Sequence, residues 1–147
     1  MCSLIQLKRG IYPTSKLYTN TYFMQKRILI FDDNEDILLP CCLIFQRAGY
    51  YVATRTHSQQ ILQDVMDENP DIILLDLKIP PFGGALSLNL LKENLLTRNI
   101  PVLLFSATEG LEALARKYQA DGFIQKPFDI KMLLEKVKEK LNHLVLS

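Results

Sequence analysis

Apolar residues fall along the chain in short continuous runs, separated by stretches whose apolar positions recur at helical spacing. Arg27-Ile28-Leu29-Ile30-Phe31, Ile72-Ile73-Leu74-Leu75 and Ile100-Pro101-Val102-Leu103-Leu104-Phe105 are apolar at nearly every position, the pattern of strands covered on both faces. Tyr50-Tyr51-Val52-Ala53-Thr54, rich in β-forming residues, predicts another strand, and Gly122-Phe123-Ile124-Gln125 a fifth. Helices are predicted between and after them, over about 34–48, 58–68, 85–96, 109–118 and 130–144. Asp33 and Asn34 offer caps for the first helix and Gly49 its stop; Ser58 offers a cap for the second, which Asn69-Pro70 ends. Pro40 predicts a bend in the first helix, or a helix that begins later than the pattern suggests.

Five buried strands alternating with five helices predict a three-layer α/β sandwich on a parallel sheet. The common solution for five strands is the flavodoxin-like order 2-1-3-4-5, which opens a crevice between the ends of strands one and three. At 147 residues the chain has room for one such domain. It is expected to occupy residues 24–147, with residues 1–23 as a loose extension that has no signal-peptide core.

Composition narrows the function more than the fold. Formal charge is +1, with 17 basic and 16 acidic residues. Lys8, Arg9 and Lys16 are basic and no acid precedes residue 24, so the remainder is slightly acidic. Neither balance suits bulk electrostatic binding of nucleic acid or anionic lipid. No apolar run reaches the length of a membrane span. The three cysteines, two of them adjacent as Cys41-Cys42, lack zinc spacing and form no disulfide framework. They are expected to be buried free thiols in a reducing cytoplasm.

In a parallel sheet every strand's C-terminal end opens on the same edge. The polar residues ending strands one, three, four and five, namely Asp32, Asp33, Asp76, Ser106 and Lys126, are therefore expected to converge. Unit charges of like sign repel by about 4 kcal/mol at about 4 Å and an effective dielectric of about 20. A hard divalent cation is the expected remedy, and Mg²⁺ suits a site with few protein ligands and open positions. A carboxylate nucleophile with Mg²⁺, a hydroxyl and a lysine around one point fits aspartyl-phosphate chemistry. His57 and His143 lie outside this set.

Ile30-Phe31-Asp32-Asp33-Asn34, Leu75-Asp76-Leu77-Lys78-Ile79-Pro80 with Gly84 downstream, Ser106-Ala107 and Lys126-Pro127-Phe128 together resemble the response regulator receiver family, over residues 27 to about 142. The resemblance implies a cytoplasmic signalling phosphoprotein of a two-component or phosphorelay system, of the single-domain, chemotaxis-regulator-like kind. Asp76 would be the phosphoacceptor. Asp33, with Asp32 acting directly or through water, would hold Mg²⁺ together with Asp76 and the Lys78 backbone carbonyl. Ser106 and Lys126 would each bind a phosphoryl oxygen, and Lys126 would precede a cis bond to Pro127. Ser106 and Phe123 would be the switch pair, Phe123 acting through packing because it lacks a hydroxyl. Lys78 and Thr108 match positions that tune dephosphorylation. The implied partners are a sensor histidine kinase or histidine phosphotransfer protein upstream, and a protein target on the face of the fourth helix, fifth strand and fifth helix. A phosphorylation-dependent homodimer is compatible with this, and neither nucleic acid nor membrane is contacted directly. Such a protein is not an enzyme beyond intrinsic self-phosphorylation and autodephosphorylation.

Two other readings stand beside this one. A phosphorylation-independent adaptor would keep the fold without the chemistry, although the complete acidic set argues against it. A haloacid-dehalogenase-type phosphatase also uses a strand-end aspartate with Mg²⁺, but needs a second aspartate two residues on, which Asp32-Asp33-Asn34-Glu35 does not supply.

Overall fold

The computed structural model of the protein describes residues 24–143. The expected extension, residues 1–23, and the end of the last helix at 144 lie outside the described residues. The elements are β1 (Arg27–Phe31), α1 (Glu35–Arg47), β2 (Tyr51–Arg55), α2 (Ile61–Glu68), β3 (Ile72–Leu75), α3 (Gly84–Glu93), β4 (Val102–Ser106), α4 (Leu111–Lys117), β5 (Gly122–Gln125) and α5 (Ile130–His143). All neighbouring strands pair in parallel, in the order β2-β1-β3-β4-β5. This is the expected α/β, flavodoxin-like arrangement.

The continuous apolar runs resolve into two faces, because successive strand side chains point to opposite sides. Ile28, Ile30, Ile72, Leu74, Leu103 and Phe105 pack with Leu38, Cys41 and Phe45 of α1 and Leu133, Val137 and Leu141 of α5. Leu29, Phe31, Ile73, Leu75, Val102 and Leu104 pack instead with residues of α2, α3 and α4, including Ile61, Val65, Leu88, Leu91, Leu111 and Ala115. A fully buried side chain of this size contributes about 1.5–3 kcal/mol, so both layers need their strands apolar throughout.

Several boundaries differ from expectation, each for a local reason. Asn34 does cap α1, its side chain accepting from the Asp36 N–H, and the helix starts at Glu35 despite Pro40. Pro40 lacks the N–H that would reach the Asp36 carbonyl, but both residues are exposed and water can serve that acceptor. Ser58 does not cap α2. Its backbone N–H and hydroxyl both donate to the Pro80 carbonyl, at 2.7 and 3.2 Å, and α2 begins only at Ile61. α3 stops at Glu93, where Asn94 turns the chain by accepting from the Leu96 N–H. α4 waits until Leu111 because Gly110 is left-handed at φ 68°. Cys41 is a free, buried thiol as expected, whereas Cys42 is disulfide-bonded, which corrects that expectation at one position. No helix among the described residues is long and apolar enough to cross a membrane.

Candidate functional site

At the centre of the sheet the chain leaves β1 toward β2 on one side and returns to β3 on the other. The loops after β1 and β3 therefore part, and the polar residues at the two strand ends face one crevice. Asp32 follows β1 directly, its N–H still bonded to the Arg55 carbonyl across the β1–β2 seam. Its carboxyl is fully buried: Oδ1 accepts from the Asn34 N–H at 2.9 Å, and Oδ2 accepts from Lys126 Nζ. Asp33, next in sequence, is exposed. Asp76 continues β3, donating its N–H to the Phe31 carbonyl at 2.9 Å. One carboxylate oxygen from each of Asp32, Asp33 and Asp76 lies within 4.8 Å of the others.

Lys126 enters from the far side of the sheet. Its backbone N–H donates to the Ser106 carbonyl at 3.0 Å, the bond to Pro127 is cis as expected, and the ammonium lies over the Phe105 ring, with Nζ 4.6 Å from its centroid. Nζ contacts Asp32 and stands 3.8 Å from Asp76 Oδ2. The site thus sets one ammonium against three carboxyl groups. Burial raises the pKa of Asp32, the hydrogen bonds from Lys126 and Asn34 oppose the rise, and the neighbouring charge of Asp76 adds to it. Asp76 Oδ1 is buried with no hydrogen-bond partner, an orphan of the kind that is costly to leave unsatisfied. Two further positive charges or an equivalent set of donors would suit this donor set, and a hard divalent cation on carboxylate oxygens fits it.

The structure brings Asp32, Asp33, Asp76 and Lys126 together. Ser106 is adjacent but turned aside: it is the last residue of β4, buried, with its hydroxyl 3.0 Å from that of Thr108. Asp76 is also deeper than an open strand-end acid, its side chain being 8 % exposed. Lys78 is exposed on the loop after β3. Phe123 is half-buried in β5 against the α2–α4 layer, with Lys136 Nζ 5.8 Å from its ring centroid. His57 bonds to Thr56 and joins none of these groups. Gly84 is dictated by the site: a Cβ there would lie 2.5 Å from the Asp76 carbonyl oxygen and 2.7 Å from Leu77 Cα, so only glycine lets α3 start this close to the strand end.

Two residues have a place in this geometry that the sequence did not signal, Ser58 having been expected only as a helix cap. Ser58 ties the loop after β2 to the loop after β3 through Pro80. Gln125 directs its carboxamide at the loop after β4. Both are polar residues in ordinary positions, and only the approach of distant loops gives them partners.

Comparison with known proteins agrees with this layout. A family model for the response regulator receiver domain matches residues 28–138. The sporulation initiation phosphotransferase F of Bacillus subtilis is 32 % identical over 120 residues, covering 80 % of this chain and 95 % of that protein. The phosphate regulon transcriptional regulatory protein PhoB of Klebsiella pneumoniae is 31 % identical over 117 residues, or 78 % of this chain, which spans about half the length of that relative, at 51 %. The crystal structure of a CheY-like response regulator receiver domain protein from Methanospirillum hungatei superposes with a TM-score of 0.73 at 29 % identity, covering 81 % of this chain and 95 % of that one. With the strand order, the acidic strand ends and these likenesses in agreement, the chain belongs to the response regulator receiver domain family of two-component signalling.

Proposed function

We propose that residues 24–147 act as a phosphoacceptor receiver that takes a phosphoryl group on Asp76 with Mg²⁺ and switches a partner-binding surface in response, with residues 1–23 as an extension outside this unit. The observation that carries the reading is the buried, partnerless Asp76 Oδ1 within a three-carboxylate cluster that has Lys126 on one side only. Asp33 and Asp76, Asp32 directly or through water, and the Lys78 carbonyl would hold the ion. The chemistry Mg²⁺ supplies when bound is neutralisation of the carboxylates and of phosphoryl oxygens.

In the transfer, an Asp76 carboxylate oxygen attacks phosphorus in line. The bond from phosphorus to a donor histidine nitrogen breaks, and that nitrogen keeps the electron pair. Such a step needs positioning and charge neutralisation more than acid or base catalysis. Asp76 is held by its backbone bond to Phe31, and Lys126 is aimed by its own backbone bond to Ser106 and its packing on Phe105. The new group, of charge near −2, would draw Ser106 away from Thr108. That movement reshapes the β4–α4 loop and, through Phe123, the α4–β5–α5 face on which a downstream protein docks or a second copy pairs. The donor is a sensor histidine kinase or a histidine phosphotransfer protein. A cytoplasmic location belongs to this reading.

Acetyl phosphate or beryllofluoride with Mg²⁺ is expected to move the amide signals around Ser106 and Phe123 in the wild type and to leave Asp76→Asn unchanged. Spectra that stay the same in the wild type would remove the reading. A generic phosphate ester is expected to show no turnover; sustained hydrolysis would favour a phosphatase instead.

A further inference from the structure

The loop that carries Ser106 is held from outside by a residue to which the proposed function gives no part. Gln125 ends β5 opposite Ser106 at the end of β4. Its Nε2 lies 3.3 Å from each of three backbone carbonyl oxygens, those of Ser106, Thr108 and Lys126. An amide nitrogen donates two hydrogens and accepts none, so three surrounding acceptors determine which end of the carboxamide faces the loop. Inside the loop the Ser106 hydroxyl is engaged with Thr108 at 3.0 Å, and Asp76 Oδ1 receives no hydrogen bond. Ser106 thus serves its own loop and not the acceptor. Long, neutral bonds from an exposed side chain are weak, and weakness is what a hold that must release requires.

Resting on the phosphoacceptor reading, we infer that Gln125 is a positioning residue of the switch. Its carboxamide ties the β4–α4 loop to β5 in the arrangement that keeps Ser106 on Thr108. It lets go of the Ser106 and Thr108 carbonyls when the Ser106 hydroxyl turns to a phosphoryl group on Asp76. Gln125 thereby sets how many molecules present the phosphoryl-binding loop before modification, and the apparent affinity for a phosphoryl analogue scales with that fraction. Gln125 makes no hydrogen bond to Asp32, Asp33 or Asp76, so binding of the metal alone is not its business.

Gln125→Met keeps the length of the side chain and removes both donors. In the full chain at saturating Mg²⁺, this variant is expected to bind beryllofluoride about fivefold more tightly than the wild type, the scale of one exposed hydrogen bond. Its Mg²⁺ affinity without beryllofluoride should be unchanged, and its unliganded Ser106 and Thr108 amide signals should move toward those of the beryllofluoride-bound wild type. Equal beryllofluoride affinity in variant and wild type overturns the inference alone. Weaker binding of Mg²⁺ and beryllofluoride together also overturns it, by making Gln125 a prop of the whole site. A wild type that ignores beryllofluoride removes the phosphoacceptor reading and this inference with it.

Discussion

Asp76 is a residue whose surroundings work against it. Its carboxylate sits among Asp32 and Asp33, while Lys126 lies 3.8 Å from one oxygen and the other has no partner. Asp76→Asn removes one charge from the cluster and is expected to stabilise the protein by about 1 kcal/mol in chelator at low salt, the order of one screened like-charge contact. Mg²⁺ should raise the melting temperature of the wild type and have little effect on the variant, a contrast readable by calorimetry. Cys41 shows the opposite situation, a neutral group kept neutral. Burial, helped by the charge of Asp32, pushes its thiol up to about 12 from an ordinary 9.0. A group whose pKa is raised on folding contributes stability that is intact below the unfolded value and lost as pH climbs to the folded one. Wild-type stability is therefore expected to fall between about pH 9 and 12 by up to about 1.4 kcal/mol per unit more steeply than that of Cys41→Ala. Parallel curves in urea titrations of the two proteins would contradict this.

At the scale of elements, the loops after the strands determine where the chemistry can stand. The segment after β3 turns back so tightly that Gly84 opens α3 beside the Asp76 carbonyl, with the Gly84 N–H donating to the Leu77 carbonyl at 2.9 Å. Gly84→Ala places a methyl 2.5 Å from that oxygen, and because the obstacle is backbone, relief requires moving the helix or the strand end. A loss of about 2–4 kcal/mol is expected, measured as a lower urea midpoint, with weaker Mg²⁺ binding because the same movement shifts Asp76. Helix limits were the least legible part of the sequence for a related reason. Ser58 has the residue type of a cap, yet the Pro80 carbonyl from a loop 22 residues away takes its donors.

For the whole molecule, stability rests on two apolar layers sharing one sheet. Leu74, at the centre of β3, is fully buried in the layer with α1 and α5. Leu74→Ala should cost about 2–5 kcal/mol, a large part of the roughly 5–15 kcal/mol that holds a domain of this size. Leu96, 75 % exposed beyond α3, is expected to tolerate the same change within about 0.5 kcal/mol. Chemical denaturation of the two variants side by side decides whether burial, and not residue type, sets the cost.

Fold class and the identity of the acidic strand ends were legible along the chain, whereas the strand order was expected only as the common solution for five strands, since periodicity does not order them. Short continuous apolar runs rich in β-branched residues suit strands covered on both faces, and polar residues that end parallel strands share an edge. These are properties of local pattern and of direction along the chain, which a linear sequence carries. What only the tertiary structure decided is how those residues face one another: the depth of Asp76, Lys126 lying on Asp32, Ser106 turned to Thr108 and Gln125 reaching across to the β4–α4 loop. Apart from the short-range Ser106–Thr108 contact, each depends on ångström-scale distances between segments far apart in sequence. Such distances are set by packing of the whole sheet and its loops, and no residue's own neighbours along the chain encode them.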